Sequence, residues 1–111
     1  MDIQFANEAL RKLCHDDGRA KKSLGDPGAK KLRSRLDDLR DAPNLETMRS
    51  LPGRCHELRG DRAGCLALDL HGAKRLVFEP LDQPPPAKPD GGLDWTKVTG
   101  VRVVFVGDYH D

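Results

Sequence analysis

The sequence predicts an α+β fold in which amino-terminal helices pack on one face of a mostly antiparallel sheet of four to five strands. Apolar residues in the first half recur at helical spacing, whereas from Arg54 onward they alternate with polar ones. The chain has 111 residues and a hydrophobic content of 37%, which suffices for one core. We therefore expect a single domain over residues 1–111.

The first half is predicted to contain a short strand and two helices. Residues 3–5 favour a strand, and Asn7 is a suitable amino-terminal cap for a helix over residues 8–14. Turn formers crowd residues 24–28, and the apolar spacing beyond them predicts a second helix over residues 29–39.

The second half is predicted to form an antiparallel meander and a final strand. Residues 55–58, 65–70 and 75–79 favour strands that glycine-containing loops connect. Residues 80–98 hold five of the eight prolines, so we expect a long excursion without strand or helix. Residues 101–106 are almost wholly apolar, which predicts a strand buried on both faces at the centre of the sheet.

Composition argues against several classes of protein. No stretch approaches the ~20 apolar residues that span a bilayer, and the start resembles no signal peptide, so we expect a cytoplasmic protein with no membrane partner. Three cysteines, Cys14, Cys55 and Cys65, form no CxxC pair and are expected to be reduced thiols. A zinc site built from Cys55, His56, Cys65 and His71 fits no standard spacing, so neither metal nor cofactor is expected.

The formal net charge of +1 conceals a basic segment, residues 19–35, whose only acid is Asp26. Such a segment is either a solvated helix face or a surface that binds a polyanion. The candidate RNA-binding or ribosome-binding residues are Arg19, Lys21, Lys22, Lys30, Lys31, Arg33 and Arg35.

A second set of polar residues stands at predicted strand ends: His56, Arg59, Arg75, Asp108, Tyr109 and His110. Imidazoles, guanidinium groups and an aromatic ring along one rim of a sheet suit RNA, which carries its own nucleophile. Attack by the 2′-hydroxyl needs a base, cations for the phosphorane and a proton for the departing 5′-oxygen. The alternatives are an exposed strand histidine, a surface arginine and a frayed terminus.

Three motifs in this order resemble the RelE/ParE superfamily of toxins, and within it the HigB-like, or plasmid maintenance system killer, family. With the preceding Leu51-Pro52-Gly53, the match spans about two thirds of the chain. The motifs are Cys55-His56-Glu57-Leu58-Arg59-Gly60-Asp61-Arg62-Ala63-Gly64, Lys74-Arg75-Leu76-Val77-Phe78 and Asp108-Tyr109-His110.

The resemblance implies the toxin of a type II toxin-antitoxin system. It would be a metal-independent endoribonuclease that cuts mRNA on the ribosome and is inhibited by a helix-turn-helix, HigA-like antitoxin. By motif position the nuclease residues are His56, Arg59, Arg75, Asp108, Tyr109 and His110. Family members often carry lysine at the position of Arg59, and an arginine there is a poor proton donor or acceptor.

In the implied mechanism either His56 or His110 is the base. Arg59 and Arg75 stabilise the phosphorane, Tyr109 stacks on a base, and Asp108 orients a neighbour. Two alternatives stay open: a ParE-like inhibitor of DNA gyrase with the same fold, and a catalytically decayed interaction domain. A gyrase inhibitor has no need of two histidines around two arginines, whereas a nuclease does.

Overall fold

The structure, a computed structural model that describes residues 1–109, is a five-stranded sheet with two helices on one face. Its elements are β1 (Asp2–Phe5), α1 (Glu8–His15), α2 (Asp17–Asp41), β2 (His56–Glu57), β3 (Leu66–Asp69), β4 (Lys74–Pro80) and β5 (Gly100–Asp108). The strand order is β1-β5-β4-β3-β2, with β1 parallel to β5 and every other pair antiparallel. The predicted α+β class is confirmed.

Period-two alternation gives the sheet two different faces. Leu66 and Leu68 of β3 and Leu76 and Phe78 of β4 are fully buried against the helices, in one cluster with the leucines of α2. Ala67 and the other residues between them belong to a smaller cluster on the opposite side. The alternation predicted for residues 65–70 is confirmed, and it leaves one face of the sheet uncovered by helices.

The prediction for β5 was wrong in one respect. The strand is internal, but β4 is the central strand, and the buried residues of β5, Val101 and Val103, both lie on the helix side. The register between the strands shifts at Val77 and Phe78, whose partners are Phe105 and Val103, so Val104 is an extra residue. This bulge leaves Val104 and Phe105 half-exposed on the face without helices.

The helices confirm one predicted boundary and correct another. The Asn7 side chain accepts a hydrogen bond from the Leu10 amide at 2.9 Å, as its predicted capping role requires. The turn predicted over residues 24–28 is only a break within α2, where Gly25 has φ +77°. Pro27 is tolerated because it lies in the first turn after this break. Neither helix in the described part of the chain is both long and apolar enough to span a bilayer.

The excursion over residues 80–98 is more ordered than its composition suggests. Pro80 is the buried last residue of β4, Ala87 bridges to Leu93, and residues Trp95–Lys97 form a 3₁₀ turn. The expectation that this segment contains neither strand nor helix was therefore wrong. The segment is ordered because one large side chain buries more surface than its prolines can. That side chain is Trp95, which is buried in the main core.

Trp95 ties the excursion to β2. Its Nε1 donates a hydrogen bond to Glu57 Oε2 at 3.0 Å, and the Arg49 guanidinium lies 3.7 Å from the centre of its ring. The amide of Leu45 also donates to the carbonyl of Val98 at 3.0 Å. The two-residue strand β2 is thus held by its pairing with β3 and by the hydrogen bond from Trp95 to Glu57.

Glu57→Ala should therefore destabilise the protein. The substitution leaves a buried indole N–H without its charged acceptor, a loss of about 1–3 kcal/mol and a melting temperature lower by roughly 4 °C or more. Thermal melting followed by circular dichroism measures the change. Glu8→Ala is the matched control, since Glu8 pairs with Arg11 in solvent and its loss should leave the melting temperature almost unchanged. Equal melting of the two variants would contradict the assignment.

Candidate active site on the open face

Strand pairing gathers distant residues on the face away from the helices, which we call the open face. Residues that are directly opposite on paired strands point to the same side. One row across the sheet is therefore His56, Ala67, Val77 and Phe105. The next row contains Asp69, Arg75 and Gly107, with Arg54 at the β2 edge bonded to Asp69.

His56 is oriented by a backbone carbonyl. Its Nδ1 lies 2.7 Å from the carbonyl oxygen of Arg54. A carbonyl can only accept, so Nδ1 carries the proton in the neutral ring and Nε2 keeps the lone pair. His56 is half-buried at the end of β2, and Nε2 is therefore the ring nitrogen suited to take a proton from a substrate.

Arg75 is held in place by backbone and carboxylate oxygens. Its Nη1 donates to the carbonyls of Gly72 and Lys74, both at 2.9 Å, and its side chain is only 14% exposed. Its Nε lies 2.9 Å from Asp69 Oδ1, an ion pair without the alignment of a hydrogen bond. The guanidinium is thus rigid and partly shielded from solvent, where a cation acts most strongly on a nearby phosphate.

Tyr109 and Phe105 form an aromatic platform beside Arg75. The two rings meet edge to face, with centres 6.4 Å apart and an angle of 62° between their planes. The Tyr109 amide donates to the Ala73 carbonyl at 3.1 Å, which fixes the chain just after β5. Arg62 lies over both rings, with its guanidinium carbon 5.1 Å from the centre of Phe105 and 5.7 Å from that of Tyr109.

The remaining predicted nuclease residues do not all join this group. Arg59 is exposed just after β2 and lines a recess of about 300 Å³ with His56, Glu57 and Leu58. Asp108 is opposite Lys74 in the β4–β5 register, and its Oδ1 lies 3.9 Å from Lys74 Nζ. Lys74 alternates with Arg75, so Asp108 lies on the helix side, and its role of orienting a neighbour stays a prediction. His110 lies outside the described residues.

Solved structures with this architecture are known, although no family model and no curated protein matches the sequence. A YoeB/ParE toxin from Agrobacterium tumefaciens superposes with a TM-score of 0.60 at 13% identity, over 99% of this chain and 100% of that one. The YoeB-YefM complex and the YoeB dimer from Staphylococcus aureus each give a TM-score of 0.55 over 100% of this chain and 98% of theirs, at 14% and 15% identity. The fold is that of the YoeB/ParE toxins.

On this YoeB/ParE fold the cations of the basic segment, residues 19–35, differ in burial and in ion pairing. Arg35 is only 6% exposed and donates from Nε to the carbonyl of Asp69 at 3.0 Å, so it is a structural residue and its predicted place on an RNA-binding surface was wrong. Lys21 and Arg33 both pair with Asp17, and Arg19 pairs with Asp16. Within residues 19–35, the exposed cations that make no ion pair with the described residues are Lys22, Lys30 and Lys31.

Four residues of the open face were not selected from the sequence: Arg54, Arg62, Asp69 and Phe105. Arg62 lies within the hairpin motif, and Asp69 lies on the polar side of an alternating strand, so the sequence pattern could have indicated both as candidate site residues. Phe105 was hidden in an apolar run. Only the strand register shows which of these residues meet.

The three cysteine thiols of this protein are poor nucleophiles. Burial raises the pKa of Cys14 to about 11 and that of Cys55 to about 12, from an ordinary value of 9.0. Burial also raises the pKa of Cys65, which is less enclosed than the other two. No group of three or more metal-ligating side chains is gathered anywhere in residues 1–109.

At pH 8, iodoacetamide should therefore alkylate Cys65 first and reach Cys14 and Cys55 only after unfolding, because the thiolate is the reactive form. Mass spectrometry with and without guanidinium measures this order. Equal rates for all three thiols in the native protein would contradict it. The raised pKa values of Cys14 and Cys55 also make the free energy of unfolding depend on pH. Their contribution is fully present below pH 9. It should be lost as the pH rises towards 12, because the thiols ionise more readily in the unfolded chain than in the folded one.

Proposed function

We propose that the protein is the toxin of a type II toxin-antitoxin system and a metal-independent endoribonuclease that cuts mRNA on the ribosome. One observation carries the proposal: His56, with its lone pair on Nε2, shares the open face with the rigid guanidinium of Arg75 and with the aromatic platform. A base, a cation and a stacking surface are what cleavage of single-stranded RNA by its own 2′-hydroxyl requires.

The spacing of these groups suits one phosphodiester and the base beside it. Sheet geometry places the Cα atoms of His56 and Arg75 roughly 12 Å apart, two strands over and two residues along. Both side chains point from the same face, so a phosphate between them lies within reach of each. Arg59, which lines the same recess as His56, is the proposed second cation for this phosphate.

The reaction is a transesterification. His56 Nε2 takes the proton from the 2′-hydroxyl, the 2′-oxygen forms a bond to phosphorus, and the bond from phosphorus to the 5′-oxygen breaks. Arg75 and Arg59 stabilise the charge that gathers on the phosphorane. A proton passes to the departing 5′-oxygen, with His110 as the candidate donor. The products are a 2′,3′-cyclic phosphate and a 5′-hydroxyl end.

The aromatic platform holds the base next to the scissile phosphate. Tyr109 and Phe105 are half-buried on the open face, and the Arg62 guanidinium lies above them. A nucleobase offers a π-face to an aromatic ring and to a guanidinium alike. Stacking of this kind tolerates different bases and orients the ribose towards His56.

An antitoxin is the proposed protein partner. One structural neighbour is a YoeB-YefM complex, in which the YoeB chain is bound to YefM. For this chain we propose a helix-turn-helix, HigA-like antitoxin encoded beside it, and the ribosome and mRNA as cytoplasmic partners. A small helix-turn-helix protein in the neighbouring reading frame would support the assignment.

His56→Ala and Arg75→Gln should each lower the rate of mRNA cleavage by 10²–10³, roughly 2.7–4 kcal/mol of transition-state stabilisation, by analogy with oxyanion-hole donors. The measurement is single-turnover cleavage of mRNA on programmed 70S ribosomes, with melting curves to show that the variants are folded. His15→Ala and Arg40→Gln are matched controls, because both residues are exposed on the helices α1 and α2, away from the open face, and they should cleave at the wild-type rate.

The products distinguish this mechanism from others. A 2′,3′-cyclic phosphate or 3′-phosphate end is expected, whereas 5′-phosphate ends would keep the nuclease and discard attack by the 2′-hydroxyl. Cleavage should persist when trace transition metals are chelated and the ribosome stays intact. Growth arrest with intact mRNA and halted supercoiling would replace the proposal with a ParE-like gyrase inhibitor.

The basic segment should bind ribosomal RNA through its unpaired lysines. Replacing Lys22, Lys30 and Lys31 with glutamate should weaken ribosome binding, most at low salt. The slope of the logarithm of the binding constant against the logarithm of the salt concentration should become shallower by about one for each lysine that contacts a phosphate. Sedimentation with ribosomes at several salt concentrations measures both. Reversal of Lys12, Lys88 and Lys97, three exposed lysines elsewhere, controls for net charge. Equal effects of the two triple variants would leave only a solvated helix face.

A further inference from the structure

We propose that Asp69 is a positioning residue of the cleavage site. Its carboxylate holds Arg54 and Arg75 together on the open face, and through Arg54 it fixes the carbonyl that orients His56. The inference rests on the proposed nuclease function, and it adds two residues, Asp69 and Arg54, that no motif in the sequence assigned to the site.

Both oxygens of the Asp69 carboxylate are engaged. Oδ2 accepts from Arg54 Nε at 2.9 Å, and Oδ1 accepts from Arg54 Nη2 at 3.2 Å, a two-pronged contact that fixes the plane of the guanidinium. Oδ1 also lies 2.9 Å from Arg75 Nε. The Asp69 side chain is 28% exposed, so the cluster is partly shielded from salt.

The backbone of Asp69 is fixed by two hydrogen bonds. Its amide donates to the carbonyl of Gly53 at 2.7 Å, and its own carbonyl accepts from the buried Arg35 at 3.0 Å. Gly53 has φ +113°, and a Cβ there would lie 2.7 Å from Arg35 Nε, so the turn packs directly on that guanidinium. The carboxylate therefore projects from a rigid point.

Asp69 reaches His56 through the backbone of Arg54. Arg54 has φ +52°, a left-handed conformation that residues other than glycine seldom adopt. Its side chain is tied to Asp69, and its carbonyl is the acceptor for His56 Nδ1 at 2.7 Å. Loss of the carboxylate removes one restraint on this strained residue and so loosens the carbonyl that accepts from His56 Nδ1.

Charge gives the proposal a distinctive signature. The carboxylate lies between two guanidinium groups, so the cluster of Arg54, Asp69 and Arg75 has a net charge of +1, which becomes +2 when Asp69 is replaced by a neutral residue. The variant should attract RNA phosphate at least as well as the wild type while its catalytic groups are less well placed. Binding and rate should therefore separate, whereas a general loss of structure would weaken both.

The test is Asp69→Asn in single-turnover cleavage of mRNA on programmed 70S ribosomes. The maximal rate should fall by about tenfold to a hundredfold, the scale of a misplacement near 1 Å. The ribosome concentration that gives half the maximal rate should stay the same or fall. Asp37→Asn makes the same charge change in an exposed pair with Arg40 on α2 and should leave both values unchanged.

A second readout is independent of activity. In nitrogen-15 spectra the Nε–H signals of Arg54 and Arg75 and the ring nitrogens of His56 should shift in Asp69→Asn, and Asp69→Glu, which keeps the carboxylate, should recover part of the cleavage rate. An unchanged rate, unmoved signals or a rate that merely follows the folded fraction would each overturn the proposal. If the wild type leaves mRNA intact, the nuclease proposal fails, while the spectra still show whether Asp69 orders these side chains.

Discussion

The pairing of Asp69 with Arg75 across β3 and β4 is the contact on which the rest of the open face depends. Its register is enforced from the other side of the sheet, where Leu68 is opposite Leu76 and both are fully buried. A slip of one residue would turn these leucines to solvent and the charged pair into the core. The hydrophobic effect on the helix side therefore specifies the polar arrangement on the open face.

A buried arginine connects the two sides. Arg35 leaves the apolar stripe of α2, passes under Gly53 and donates to the carbonyl of Asp69. A buried cation without partners is costly, and a backbone acceptor at the edge of the sheet offsets part of that cost. The helix layer thus fixes the turn that carries Arg54, so the orientation of the cluster on the open face depends on a residue from the opposite layer.

The sequence predicted most of the architecture, since periodicity reports which side of an element is buried. It missed the first turns of α2, because Gly25 and Pro27 look like a loop although only Gly25 leaves helical geometry. It misjudged the excursion because composition cannot show that Trp95 finds a carboxylate on β2. Arg35 could have been found: it lies three residues after Leu32 and four before Leu39, so helical spacing places it at the margin of the apolar stripe.

The site itself was predictable only as far as motifs reach. His56, Arg75 and Tyr109 were selected from the sequence and meet on the open face, whereas Asp108 does not, because consecutive residues at the end of a strand point to opposite faces. Asp108 faces Lys74 on the helix side while the Tyr109 amide bonds to the carbonyl of Ala73. The end of β5 is therefore anchored chiefly by the backbone bond of Tyr109, and that bond is what allows Tyr109 to present its ring beside Phe105.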